Sequence, residues 1–257
     1  MTWVRVLVAL PLGLAFGSFL TLAIHRVPAG ESIARPRSRC PSCGTQLRAV
    51  DTVPIVSWIA LRGRCHTCGA RIAVAYPLTE LATGALFVAT ALVFDDLWAT
   101  ALLAPFLGLL FALSVIDIRH HKIPNRLVYP AITLSAAWVV VADLAGSELS
   151  APSAGIGFLA YGVGLLIVAL ISPRGMGMGD VKLAALVGLV LGSLGLDHVA
   201  VAAGLGILFG GVGAIVALVA GAGRKTPIPF GPYLAAGAVV ATFVGGQIAD
   251  AYLSLIS

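Results

Sequence analysis

Residues 97–116 read LWATALLAPFLGLLFALSVI, twenty consecutive positions without a charge, and the next residue is Asp117. A helix rises ~1.5 Å per residue, so this run spans ~30 Å, the thickness of a bilayer's hydrocarbon core. No alternation of period two runs through it, as a barrel strand requires, and a helix is the remaining way to satisfy its backbone in lipid. Seven further apolar stretches lie outward from it, bounded by charged or turn-forming residues, at 3–24, 73–94, 127–144, 154–172, 181–196, 199–222 and 230–249. The expected fold is an all-α integral membrane protein with about eight transmembrane helices. Composition agrees. Of the 257 residues 59% are hydrophobic and 11% charged, with a mean hydropathy of +1.02, more apolar surface than a soluble domain can bury. Thirty glycines suit close helix packing in lipid better than a flexible coil.

The net charge of +5 could point to nucleic acid, but its placement points to membrane orientation. If the first helix runs from outside to inside, the loops 25–72, 117–126, 173–182 and 223–229 face the cytoplasm. They carry every lysine and arginine of the chain except Arg5, while Asp95, Asp96, Asp143, Glu148, Asp197 and Asp250 fall on the opposite side. That is the positive-inside pattern. It predicts an N-terminus outside, a multi-pass topology in the bilayer, and no nucleic-acid partner. Residues 1–24 are read as a retained helix, because a signal peptide carries its positive charge in front and ends in a small-x-small site. The chain divides into a first helix (1–24), a cytoplasmic loop (25–72) and a seven-helix unit (73–257).

That loop holds the only four cysteines, as Cys40-Pro-Ser-Cys43 and Cys65-His-Thr-Cys68, each pair followed directly by glycine. Two such knuckles separated by 21 residues have the spacing of a zinc ribbon. Four thiolates close a tetrahedral structural site with no position left for chemistry. Two disulfides are the alternative, disfavoured in a reducing cytoplasm. The metal is expected to be zinc and to fold a loop with little apolar content of its own.

Most of the eleven acidic residues lie in outside turns or in the loop; Glu80, Asp117 and Asp180 do not. Asp117 ends the third span, which runs inward, and Asp180 begins the sixth, which runs outward. Opposite directions bring both carboxylates to one cytoplasmic depth. Around Asp180 the chain reads Gly175-Met176-Gly177-Met178-Gly179-Asp180, leaving alternate positions without side-chain bulk for a close neighbour. Paired carboxylates are what water activation needs, one as base and one as acid. Helix polarity favours the ionised form at Asp180 and the neutral acid at Asp117. Other readings stay open here: a helix cap at Asp180, a polytopic transporter using the acids as an ion or proton site, and a zinc-organised scaffold without chemistry. Lys182 either orders the active-site segment or snorkels to the interface, and Met176 and Met178 read as packing groups.

In order along the chain, several segments resemble the type IV prepilin peptidases, which are Gly-x-Gly-Asp aspartyl proteases. They are Gly17-Ser18-Phe19-Leu20 with Arg26-Val27-Pro28, the two cysteine knuckles, and Asp51-Thr52-Val53-Pro54-Ile55-Val56-Ser57-Trp58 between them. Then follow Tyr76-Pro77-Leu78-Thr79-Glu80 with Gly84, Ile116-Asp117-Ile118 with Ile123-Pro124-Asn125, Gly177-Met178-Gly179-Asp180-Val181-Lys182-Leu183, and Pro229-Phe230-Gly231-Pro232-Tyr233. The resemblance implies eight transmembrane helices in the bacterial inner membrane and a zinc-bearing cytoplasmic loop. It implies cleavage of type IV prepilin or pseudopilin precursors, after the glycine that ends a basic leader, by Asp117 and Asp180 within a loop containing Gly177, Gly179 and Lys182. It also implies methylation of the new N-terminal amine from S-adenosylmethionine, whose binding residues are expected near Glu80 and Gly84. Forms without the cysteine loop are similar to peptidase-only enzymes, so its presence favours both activities. The chain departs from the family pattern at Thr21, His25, Ala75 and Asn125, where Asn, Tyr, Arg and Asp are usual. A basic leader would be repelled by the basic loop, which makes Glu31, Asp51, Glu80 or anionic headgroups its candidate partners.

Overall fold

The computed structural model describes residues 2–33, 35, 37–172, 176–221, 223 and 228–256; Arg174, Gly175, Arg224 and Lys225 of the patterns above lie outside them. The expected spans form eight long helices: α1 (Thr2–Arg26), α3 (Ala75–Val93), α4 (Leu97–His120), α5 (Asn125–Leu144), α6 (Ala151–Ile171), α7 (Met178–Gly192), α8 (Leu196–Val219) and α9 (Gly231–Ile256). A short helix, α2 (Val56–Ala60), lies in the loop between α1 and α3.

Seven of the eight long helices are long and apolar enough to cross a membrane; α7 is not. It has fifteen residues, eleven of them buried, and covers only ~22 Å. It packs against α5, α6, α8 and α9, so protein rather than lipid surrounds most of it. The apolar run at 181–196 is cut short because the chain turns at Ser193, whose hydroxyl bonds the Val190 carbonyl and whose own carbonyl accepts the Ser150 N–H. At the other end α4 continues one turn past the apolar run to His120. Its cap is His121, with φ +50° and its N–H on the Asp117 carbonyl at 2.8 Å, the left-handed stop common at helix C-termini.

Successive long helices alternate in direction, so the loop, the end of α4 and the start of α7 share one end of the bundle. At the far end Arg5 pairs with Asp95 at 2.7 Å, where the charge pattern places both. Fully buried Leu103, Leu107, Leu110 and Leu113 of α4 and Leu183, Leu186 and Leu191 of α7 form the centre of the core. Glycine sets how closely the helices approach. A Cβ on Gly17 of α1 would lie 2.7 Å from the Glu80 Cα of α3, and α6 meets α7 with Gly157 and Gly188 backbone to backbone, the small-residue packing typical of lipid.

Candidate active site and metal cluster

Asp117 and Asp180 line one cavity of about 390 Å³ at the loop end, between the end of α4, the 121–125 turn and the start of α7. Each carboxylate accepts a backbone N–H. Gly231, the first residue of α9, donates to Asp117 Oδ2 at 3.0 Å, and Gly177, just before α7, donates to Asp180 Oδ2 at 3.3 Å. Asp117 is buried and Asp180 half-buried. Asp180 therefore does cap its helix, and the same geometry turns it toward the cavity it shares with Asp117. A carboxylate pair of this kind can hold a water and a carbonyl between an ionised and a protonated group.

The glycines around the pair have specific neighbours. A Cβ on Gly231 would lie 2.8 Å from Asp117 Oδ2, and one on Gly179 would lie 3.0 Å from the Ile123 Cβ. Gly177 is exposed at the cavity mouth. Lys182 does not point into lipid. Its ammonium donates to Asn125 Oδ1 at 2.9 Å and stands 5.2 Å from the centre of the Tyr129 ring, which ties α7 to the start of α5. Asn125, where the resemblance implies Asp, keeps the acceptor and gives up the charge. Gly231 and Asn125 had no assigned role in the sequence reading. The available signals were the Gly-Pro pair opening α9 and the polar residue directly after Pro124.

The two knuckles are near copies. Cys40 N–H bonds the Thr45 carbonyl and Gly44 N–H the Cys40 carbonyl; Cys65 N–H bonds the Ala70 carbonyl and Gly69 N–H the Cys65 carbonyl, all at 2.8–3.0 Å. Gly44 and Gly69 both have φ +69°, a turn that glycine adopts without strain. The four sulfurs lie within 4.8 Å of one another, and Cys40 Sγ is 3.8 Å from Cys68 Sγ. A tetrahedron with ~2.3 Å metal–sulfur bonds has an edge of ~3.8 Å, so the donor set fits a metal ion. Its electrostatics fit too. Hydrogen bonding to Thr45 lowers Cys43 to about 6. The Ala70 N–H also lowers Cys68, yet burial and the neighbouring sulfurs push it up to about 11, a conflict that a bound cation removes.

Asp51 serves the loop itself. It forms a two-pronged pair with Arg48 at 2.9 and 3.0 Å and meets His66 of the second knuckle at 3.1 Å; the Arg48 hydrogen bond holds its carboxyl down at about 2. Glu80 is buried in α3 and its Oε2 accepts the Ile55 N–H at 2.8 Å. Ile55 sits at φ +61°, costly for a β-branched residue, so Glu80 clamps the loop to the bundle at a strained point. Both carboxylates are thus engaged within the chain, and Glu31, the third acid, is exposed beyond α1. Gly84 faces α1, where a Cβ would lie 2.9 Å from Leu14. His25, at the usual tyrosine position, stacks on Tyr76 at 5.2 Å, and Thr21 bonds the Gly17 carbonyl.

Residues 12–94 match the family described as "Bacterial Peptidase A24 N-terminal domain", and residues 104–220 match the "Type IV leader peptidase family". The chain is 38% identical to a "Prepilin leader peptidase/N-methyltransferase" of Stutzerimonas stutzeri, over 96% of this chain and 93% of that one. It is 34% identical to the protein of that name from Bacillus subtilis, over 95% and 96%, and 35% identical to that of Pseudomonas aeruginosa, over 96% and 93%. No solved structure matches it at a significant level. With both halves of the chain matched in order, and two carboxylates and four thiols in place on an all-helical membrane frame, the chain belongs to the type IV prepilin leader peptidase/N-methyltransferase family of aspartic membrane peptidases.

Proposed function

We propose that Asp117 and Asp180 are the catalytic pair of an endopeptidase that removes the leader from type IV prepilin or pseudopilin precursors at the cytoplasmic face of the inner membrane. The same chain methylates the new N-terminus with S-adenosylmethionine. The observation that carries this reading is the pair itself: two carboxylates from antiparallel helices on one cavity at the arginine-rich end of the bundle. One aspartate, ionised, takes a proton from water as it attacks the scissile carbonyl. The other, protonated, donates to the carbonyl oxygen, and a proton passes to the departing amine as the C–N bond breaks. The Gly231 and Gly177 N–H groups fix Oδ2 of each carboxylate, and the Lys182–Asn125 contact ties the start of α7 to the start of α5. Gly177, exposed at the cavity mouth, leaves room for an extended substrate, while Gly179 lets the active-site segment close on Ile123.

Cys40, Cys43, Cys65 and Cys68 would hold zinc, which orders the loop without taking part in cleavage. Glu80 and Gly84 serve methyl transfer by seating the loop and α1 on the bundle, one clamping Ile55 and the other admitting α1. The charge pattern supports an N-terminus outside and the cavity inside.

The test is to reconstitute the protein in bilayers with a full-length precursor and methyl-labelled S-adenosylmethionine. Mass spectrometry should find a shortened product carrying one methyl on its new amine. Ion flux across the same bilayers without cleavage would return the transporter reading. A companion prediction concerns Gly231→Ala. Its Cβ would press on Asp117 Oδ2 and displace the donor that aims this carboxylate. A displacement of ~1 Å in such a pair costs on the order of 100-fold, so kcat should fall by about that factor with insertion unchanged. Cleavage at the wild-type rate would show that Asp117 does not depend on this contact.

A further inference from the structure

A second cavity, of about 510 Å³, opens on the flank of the bundle between α3 and α9, with α4 as its floor. Helices α3 and α9 each pack on α4 and scarcely on one another, so the space between them is a true cleft. Its α3 wall is Ala82, Ala85, Leu86 and Ala89, its α9 wall Pro232, Ala235, Ala236 and Val239. Both sets recur at helical spacing, three and four residues apart, and the alanines among them leave room for the ridge of a third helix between Leu86 and Val239. The floor runs down α4 through Leu107, Phe111 and Ser114. Ser114 is the one polar group, and its hydroxyl is already spent on the Leu110 carbonyl at 2.7 Å.

The cleft leads to the chemistry. Ser114 is one helical turn from Asp117, and Pro232, also on the cleft, follows the Gly231 that holds Asp117. A chain that leaves the scissile bond beside Ser114 and Pro232 and enters the bilayer can lie along this groove. Inside lipid its backbone must be hydrogen-bonded within itself, hence helical, and the groove offers only apolar contacts.

We infer that the α3–α9 cleft docks the apolar helical segment of the precursor on the product side of the cleaved bond, presenting its N-terminal end to Asp117 and Asp180. This rests on the peptidase reading above. An acyl chain of a lipid is the competing occupant, and it gives a different result below.

Ala85→Trp and Ala236→Trp fill the cleft from opposite walls and touch neither aspartate. Each is assayed on two substrates in the same bilayers: the full precursor, and a short water-soluble peptide carrying only the leader and the cleavage site. Each variant should raise KM for the full precursor at least tenfold while cutting the short peptide as wild type does. In a second arm, a photo-crosslinker placed through Ala85→Cys, in a chain also carrying Asp180→Asn, should capture the full precursor. The same label placed through Ile207→Cys, on the exposed face of α8, should not. Unchanged KM for both substrates with no capture at position 85 overturns the proposal and leaves the cleft to lipid. Parallel loss on both substrates together with equal capture at positions 85 and 207 also overturns it. Failure of the wild-type protein to cut even the short peptide is a separate result, which removes the peptidase reading instead.

Discussion

Asp117→Asn and Asp180→Asn should each reduce cleavage of a precursor by on the order of 10⁴-fold, and the double variant should be no slower than either single one. The size follows from the way the pair works: an amide can neither accept the proton from water nor give one to the carbonyl, and half of a coupled acid–base pair does almost none of its chemistry. Asparagine keeps an oxygen that can accept the Gly231 or Gly177 N–H, so the helix ends it holds together should remain. The variants are therefore expected in the membrane at wild-type levels, with the same helical signal, and inert. Two outcomes would sink the assignment: near-normal cleavage by either variant, or losses in the two single variants that multiply in the double. The first would make the carboxylate a helix cap. The second would mean that the two groups act independently.

How much of this site can be read from the chain depends on distance along it. The helices follow from runs of apolar residues, and the knuckles from cysteines three apart, both local signals. That Asp117 and Asp180 share a depth needs only the count of helices between them and the alternation of charge. The Gly231 contact spans 114 positions, and nothing in Pro229-Phe230-Gly231-Pro232 says which carboxylate its N–H will meet. Glu80 carries a similar lesson. A buried acid in a membrane helix reads as functional, whereas here it is satisfied by the N–H of Ile55 in a loop 25 residues away. The shortness of α7 was hidden for a different reason. Its apolar run is nearly as long as a span, and the turn at Ser193 that ends it early is bonded to Ser150, which caps another helix. Helix polarity separates the two aspartates less than their positions suggest, because Asp117, at a helix C-terminus, receives a backbone N–H from the start of another helix, as Asp180 does from Gly177 at the start of its own.

Removal of the metal should unfold the loop and leave the bundle intact. Among the described residues of 28–74 only Cys40, Gly63 and Cys65 are buried, so this segment gains little from hydrophobic burial to set against the entropy of ordering it. A structural zinc contributes ~10–16 kcal/mol of binding free energy in small domains of this kind, far more than the Arg48–Asp51–His66 cluster, whose arginine is exposed, can supply. Wild-type protein should therefore carry one zinc per chain by elemental analysis, and Cys40→Ser should carry none. Loss of the ion frees the knuckles, and with them the short helix α2, which is held to the bundle through the clamp of Glu80 on Ile55. Trypsin should then cut at Arg48, Arg62, Arg64 and Arg71 at least tenfold faster in Cys40→Ser or in chelator-treated protein, while the helical signal barely changes. Asp117 and Asp180 take nothing from the knuckles, so cleavage of the short soluble peptide should persist and methylation of its product should fall. A metal-free wild-type protein with a trypsin-resistant loop would contradict this account and would place the loop's stability in contacts among its own side chains.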